Sequence, residues 1–146
     1  MLSSPRTADF SMARPEPFLS IRIRVHWGGQ FAMGPGKADL LETVASTQSI
    51  AAAGRALGYS YTKTRRLLEE MNSSYRGPLV ATTRGGPHGG GAVVTEVGYQ
   101  VLALFRDMEA KAMASVQEGI QGFRSFLGEA PAGGDQSLVR HHRNGG

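Results

Sequence analysis

The chain has 146 residues, with 16 Lys and Arg against 12 Asp and Glu, a net charge of +4, and no cysteine. The length favours one domain with tails, and the lack of cysteine excludes disulfides, thiolate metal sites and cysteine nucleophiles. No apolar run approaches the ~20 residues that a membrane-spanning helix needs, and no secretory signal is evident. We therefore expect a cytoplasmic protein without a membrane partner.

The N-terminal part divides into an arm and a hairpin. Residues 1–17 carry three prolines and no clear period, which predicts a flexible arm. From Phe18 apolar and polar residues alternate, which predicts a half-buried strand. Trp27-Gly28-Gly29-Gln30 is a turn signal, with Phe31 to Met33 as the returning strand. On the polar side, Arg22 and Arg24 are expected to be solvated or, alternatively, to add to the binding face of the helices that follow.

Three helices are predicted next. Gly34-Pro35-Gly36 interrupts the chain before a helix from about Lys37 to Thr47, with Lys37 pointing outward. Ser49 is a good N-cap for a small-residue helix over residues 50–57, which Gly58 ends through a positive φ. Ser60 caps a third helix over about residues 61–72.

A hairpin and a long helix follow. Residues 79–82 and 92–95 have strand character on either side of a glycine-rich loop. From Thr95 an apolar stripe continues with helical spacing to Leu127, although Gly119 and Gly122 weaken the pattern by roughly 1 kcal/mol each. The predicted organisation is an arm (1–17), a core domain (18–95), a long helix (96–127) and a disordered tail (128–146).

A small-residue helix, a glycine turn and a basic helix in this order are typical of a helix-turn-helix. The second helix has hydrogen-bonding residues at its start, where it would meet base edges. Between Ile50 and Arg76 there are five bases and two acids, a surplus of three out of the total of four. The candidate DNA contacts are Ser60, Tyr61, Thr62, Lys63, Arg65 and Arg66. Alternatively, Arg65 and Arg66 pair with Glu69 and Glu70 and only support the helix.

The glycine-rich hairpin loop has the position of a wing. Its glycines would let backbone N–H groups approach phosphate or enter a minor groove. The alternative is a plain loop between two strands, and its place after the helix-turn-helix favours the wing. The candidate wing contacts are Arg84, Gly85, Gly86, His88 and Gly89. The predicted fold is therefore mainly α with small β elements (α+β): a winged helix-turn-helix with an N-terminal β-hairpin, a β-wing and a long C-terminal helix.

The motifs resemble the N-terminal DNA-binding domain of ModE-type molybdate-responsive regulators and, more distantly, that of LysR-type regulators. The likeness rests on Gly34-Pro35-Gly36-Lys37, on Ser49 to Tyr61, on Met71-Asn72 and on Gly85 to Gly98, and it covers roughly residues 21–111. The resemblance implies a dimeric regulator whose recognition helix and wing touch DNA.

The sequence departs from that family in three respects. About thirty-five residues follow Lys111, so no molybdate-binding module is expected. Arg65 replaces a usual aromatic residue. Pro87 replaces a usual basic wing residue.

The apolar stripe in the first part of the long helix is interpreted as a dimer seam, with packing onto the domain's own core as the alternative. The seam residues are Val97, Val101, Leu104, Phe105 and Met108. No catalytic constellation is present, and none of the four histidines has a metal-ligand spacing, so we expect no enzyme, cofactor or metal. The predicted function is a sequence-specific, homodimeric transcriptional regulator that binds double-stranded DNA and is nucleoid-associated. The alternatives are a winged module that binds an unknown protein partner, and a non-specific architectural DNA-binding protein.

Overall fold

The computed structural model describes residues 19–83 and 91–129. The chain divides into two units, one spanning Ile21–Gln117 and the other including residues 19–20 and 118–129. The described residues are mainly helical with two small antiparallel sheets, which confirms the predicted α+β class. Their elements are β1 (Val25–Trp27), β2 (Gln30–Met33), α1 (Pro35–Thr47), α2 (Ile50–Leu57), α3 (Tyr61–Ser74), β3 (Val80–Thr82), β4 (Ala92–Val94), α4 (Glu96–Ser115) and α5 (Gln117–Arg124).

The three predicted helices form, and their capping residues are confirmed. The Ser49 hydroxyl accepts a hydrogen bond from the Ala52 N–H (3.1 Å), which satisfies a donor at the start of α2. Gly58 ends α2 with a φ of 73°, in the left-handed region that glycine adopts without strain. Helix α1 begins two residues earlier than expected, because Pro35 stands at its first position, where no N–H is needed.

A single apolar core fills the unit 21–117. Helix α1 contributes most to it, since Leu40, Leu41 and Val44 are fully buried. Met71 of α3 and Leu79, just before β3, are equally inaccessible, and partly buried residues from the other elements surround them. Burial of this kind contributes roughly 1.5–3 kcal/mol per large apolar side chain.

Arg106 connects α4 to α1. Its guanidinium donates to Asp39 (2.7 Å) and Glu42 (2.8 Å) on α1 and to Glu109 (2.7 Å) on its own helix. Partial burial acts to lower the pKa of Arg106, but the hydrogen bonds to Glu42, Glu109 and Asp39 outweigh it and raise that pKa above its usual range. The charge-assisted contacts therefore fix where α4 lies on α1.

The N-terminal hairpin forms around the predicted turn, but its first strand is shorter than expected. Gly28 and Gly29 both have positive φ (55° and 80°), as a tight two-residue hairpin turn requires. Strand pairing begins only at Val25, although alternation begins at Phe18. An irregularity between Val25 and His26 shifts the register, and β2 has no further residues to pair with the earlier ones. Phe18 itself lies outside the described residues.

The second hairpin is anchored at its base by two side chains. Asn72 accepts from the backbone N–H of Leu79 (2.9 Å) and Val80 (3.1 Å) and donates to the Val80 carbonyl (2.9 Å). Thr95 caps α4 by accepting from the Gly98 N–H (3.0 Å) and donates to the Pro78 carbonyl (2.7 Å). The end of α3 and the start of α4 are thus both bound to the segment that leads into β3.

The long C-terminal helix is not continuous, which corrects the expectation of one helix to Leu127. Helix α4 ends at Ser115, and α5 starts at Gln117 after an irregular Val116. The Ser115 hydroxyl donates to the Ala112 carbonyl (2.8 Å) and so competes with the helical backbone bonds. Gly119 and Gly122 lower helix propensity just beyond the break. Within the residues described, no helix is long and apolar enough to cross a membrane.

Candidate nucleic-acid interface

Helices α2 and α3 pack closely because one position between them has no side chain. A Cβ at Gly54 would lie 2.5 Å from the Thr64 hydroxyl and 3.2 Å from the Tyr59 carbonyl. Thr64 is fully buried, and its hydroxyl donates to the Ser60 carbonyl (2.8 Å). The Tyr59 N–H in turn donates to the Gly54 carbonyl (2.8 Å). This contact fixes the angle at which α3 leaves the turn.

The first turn of α3 is exposed and contains no acidic residue. Ser60 caps it, accepting from the Lys63 N–H (3.1 Å), while Tyr61 and Thr62 lie on the surface beside the cap. Free N–H groups and the helix dipole make such a turn attractive to anions. The Lys63 ammonium lies 4.1 Å from the centre of the Tyr59 ring. Among the described residues it has no carboxylate partner.

Arg65 and Arg66 form the ion pairs that the sequence left open as an alternative. Arg65 pairs with Glu69 (3.3 Å) and also donates to the Tyr61 hydroxyl (3.3 Å). These contacts raise the pKa of Arg65, and the hydrogen bond to Tyr61 has the larger effect. Arg66 pairs with Glu70 (3.0 Å). Both arginines remain well exposed, so each keeps donors free for another anion while its net charge is offset.

Lys37 corrects the expectation of an outward-pointing residue. It is 3% exposed, and its ammonium donates to the Phe31 carbonyl (2.8 Å) and lies 4.4 Å from the centre of the Phe31 ring. It also lies 3.6 Å from a carboxylate oxygen of Glu70. Three partners replace water around the buried charge. Glu70 therefore forms an ion pair with Lys37 through one carboxylate oxygen and accepts a hydrogen bond from Arg66 on the other.

The structure describes the two strands that flank the predicted wing loop. Strands β3 and β4 pair in register, and the Thr83 N–H donates to the Gly91 carbonyl (2.8 Å), so the loop starts and ends at one place. The Ala92 N–H donates to the Gln48 carbonyl (3.1 Å), which ties β4 to the turn between α1 and α2. The loop candidates themselves lie outside the described residues: Arg84, Gly85, Gly86, His88 and Gly89.

The stripe on α4 is divided between two environments. Leu104 (64% exposed), Met108 (46%) and Val97 (42%) lie on the surface, and Val101 is half-buried. Phe105 is 2% exposed and belongs to the apolar core, in agreement with the alternative of packing onto the domain's own core. Packing onto the domain's own core therefore describes Phe105, and a dimer seam formed by the exposed residues stays a prediction.

Sequence reasoning missed the structural role of Asn72 and the exposure of Trp27. Asn72 was noted only as part of a motif, and its position after the apolar Met71 at the end of a helix was the available signal for a cap-like role. Trp27 is 79% exposed at the tip of the first hairpin. The Gly-Gly turn beside it was the available signal for that placement.

Comparison with known proteins finds relatives that fit the ModE family. The chain is 34% identical over 100 residues to a molybdenum-pterin-binding protein MopB from Rhodobacter capsulatus, covering 68% of this chain and 36% of that protein. It is 32% identical over 93 residues to a molybdenum transport protein ModE from Herbaspirillum seropedicae, covering 64% and 33%. A ModE from Azotobacter vinelandii is 28% identical over 109 residues, covering 75% and 39%. The chain spans about a third of the length of these relatives, and no protein-family model matches it.

Proposed function

We propose that this chain is the DNA-binding part of a sequence-specific, dimeric transcriptional regulator with a winged helix-turn-helix. Helix α3 lies in the major groove, and the loop between β3 and β4 lies on the phosphate backbone or in the minor groove. The observation that carries the proposal is the first turn of α3. It is exposed and free of acids, and Lys63 within it has no carboxylate partner in the described residues.

The neighbouring contacts support the same use of α3. The close α2–α3 contact at Gly54 holds the helix rigidly, and base readout requires side chains with fixed positions. Tyr61, Thr62 and Lys63 supply hydrogen-bonding groups of different chemistry along one exposed turn. Arg65 and Arg66 are directed by their ion pairs and have donors left for phosphate oxygens.

The relatives support the regulator class because they fit the ModE family, which the motifs also resemble. Since the shared part is about a third of each relative, the proposal concerns DNA binding only. A role in molybdenum metabolism does not follow from it.

Selection from a random duplex pool tests the proposal. The purified chain is incubated with 30-base-pair random duplexes, and bound DNA is amplified and sequenced over several rounds. We expect one motif to be enriched and to bind roughly 10³-fold or more tightly than random duplex at physiological salt. Enrichment of no sequence would contradict the proposal, and salt-dependent binding without preference would favour the architectural alternative.

Lys63→Ala should weaken binding to the selected duplex by about 5- to 150-fold, the range for losing a base contact worth ~1–3 kcal/mol. The loss on random duplex should be smaller. Lys111→Ala is the matched control, because Lys111 is exposed, lies outside α3 and pairs with Asp107 within α4. Fluorescence anisotropy with both duplexes measures the two losses. Equal losses on selected and random DNA would overturn the assignment of Lys63 to base readout.

A protein-interaction module is the second candidate, and the pairing of Arg65 with Glu69 and of Arg66 with Glu70 favours it. These pairs reduce the net charge of the later turns of α3 to nearly zero, which suits a protein partner better than a polyanion. The salt dependence of binding separates the two functions. A steep fall in duplex affinity with salt supports DNA binding, and negligible duplex affinity at low salt supports the protein partner.

A further inference from the structure

The β1–β2 hairpin and the residues that lead into it, Arg22 to Arg24, present an exposed basic and aromatic surface that the proposed recognition helix does not include. Arg22, Arg24 and His26 are exposed, and Trp27 at the tip is 79% exposed. No acidic residue occurs between Glu16 and Asp39. In the described part of the chain, neither Arg22 nor Arg24 forms an ion pair. The first hairpin therefore has uncompensated positive charge beside an exposed ring.

This surface is fixed by its own packing. The Arg24 guanidinium lies 5.3 Å from the centre of the Phe31 ring, and the His26 ring centre lies 5.6 Å from it. The buried Lys37 contacts the Phe31 ring with its ammonium group and also donates to the Phe31 carbonyl. Two of the polar side chains are thus placed against a supported ring instead of moving freely in solvent.

The hairpin is connected to α3 by a series of side-chain contacts that passes through the buried Lys37. Lys37 contacts the Phe31 ring and the Glu70 carboxylate with the same ammonium group, and the other oxygen of Glu70 pairs with Arg66. The Tyr75 hydroxyl, just after α3, donates to the Ala32 carbonyl of β2 (3.1 Å). An uninterrupted series of contacts therefore leads from Arg24 through Phe31, Lys37 and Glu70 to Arg66.

We propose that the β1–β2 hairpin, together with the residues that lead into it, is a second DNA-contacting surface, in which Arg22 and Arg24 bind phosphates and Trp27 packs against the duplex. The inference rests on the proposed function of α3, and it extends the contacted DNA beyond that helix. Positive charge without carboxylates complements a polyanion, and an exposed aromatic ring among basic residues suits nucleic acid. The partner is the same double-stranded DNA that α3 contacts.

The chain contains a single tryptophan, so its fluorescence reports the hairpin tip directly. We titrate the protein with the unlabelled 30-base-pair duplex that the wild-type chain selects. Acrylamide quenching of Trp27 is measured for the free protein and for the protein saturated with duplex. We expect DNA to shield Trp27 and lower the quenching constant. A quenching constant unchanged at saturation, with binding verified by anisotropy, overturns the hairpin proposal and leaves the function of α3 intact. If no duplex binds at all, both proposals fail.

Two substitutions give independent readouts. Arg22→Gln should lower the slope of log affinity against log salt by about 0.9, the value for one phosphate contact. Trp27→Ala should weaken binding about fivefold through the loss of its apolar contact with the duplex, equivalent to ~1 kcal/mol. The controls are Lys111→Gln and Phe126→Ala, which remove an exposed charge and an exposed ring elsewhere. Equal effects in the variants and the controls overturn the proposal. Shielding of Trp27 that rises with protein concentration in the absence of DNA also overturns it, because Trp27 would then contact another copy of the chain.

Discussion

At the scale of single residues, a few polar side chains determine how the elements join. Asn72 satisfies three backbone groups at the entry to β3, and Lys37 satisfies the Phe31 carbonyl and Glu70 from a buried position. Side chains of this kind contribute most when their removal leaves buried groups without partners. They are therefore the residues at which a small substitution should have a large effect.

Asn72→Ala should lower the free energy of unfolding by about 2–3 kcal/mol, because two N–H donors and one carbonyl lose their partner in a half-buried place. Urea denaturation followed by circular dichroism measures the loss. Ser73→Ala is the neighbouring control, since Ser73 is exposed and bonds only within its own helix, and it should change stability by less than about 0.5 kcal/mol. A loss for Asn72→Ala no larger than that of the control would show that the segment before β3 is held by other contacts.

Tyr75 makes stability sensitive to alkaline pH. Burial raises the pKa of Tyr75 above its usual value near 10. Because the folded state keeps the phenol proton more tightly than the unfolded chain, the contribution of Tyr75 is complete below pH ~10 and is lost as pH rises toward the folded-state pKa. We expect stability to fall above pH ~10 and Tyr75→Phe to fall less steeply. Parallel pH profiles for the two proteins would contradict this explanation.

At the scale of elements, the close approach of α2 and α3 depends on one glycine. The clash distance at Gly54 involves the buried Thr64 hydroxyl and a backbone carbonyl, neither of which is a flexible side-chain end. Gly119 is its natural comparison, since a Cβ there would meet nothing within 4 Å. The same substitution should therefore have opposite effects at the two positions.

Gly54→Ala should destabilise the protein by about 1–3 kcal/mol, the usual cost of overpacking, even though alanine favours a helix. Gly119→Ala should stabilise it by at most about 1 kcal/mol through helix propensity alone. Thermal unfolding of both variants measures the signs. Gly54→Ala should also weaken binding to the selected duplex, because it displaces α3. A stable Gly54→Ala protein with wild-type affinity would show that α3 tolerates displacement at this contact.

At the scale of the whole molecule, the exposed apolar residues of α4 bear on assembly. We propose that Val97, Leu104 and Met108 form the contact between two copies. Arg106 holds α4 on α1 while these residues remain exposed, so the stripe is presented on a fixed helix. Phe105 is unsuitable for testing this contact because its loss would damage the core.

Leu104→Glu should convert a dimer into a monomer, since a charge would have to be buried in an apolar contact. Light scattering coupled to size exclusion measures the mass. Ala103→Glu is the matched control, because Ala103 is exposed on the same helix and lies about 100° around the helix axis from Leu104. Equal masses for Leu104→Glu and the wild type would place the copy-to-copy contact elsewhere.

The sequence by itself determined the helices around the α2–α3 turn. Ser49, Gly58 and Ser60 were identified as caps, and the bounds of α2 were predicted correctly. Capping depends on groups within three or four residues of each other, so the necessary information is local. The apolar positions of α1 were also predictable, because helical periodicity fixes which residues share a face.

The tertiary structure alone decided which charged and apolar side chains face the interior. Lys37 is buried because it contacts Phe31 of β2 and Glu70 of α3, which lie far from each other in the sequence. Phe105 enters the core while Leu104 stays outside, and the placement of Arg106 against α1 helps to decide that orientation. These outcomes depend on partners distant in the sequence, whereas the sequence pattern reports only neighbours within a few turns.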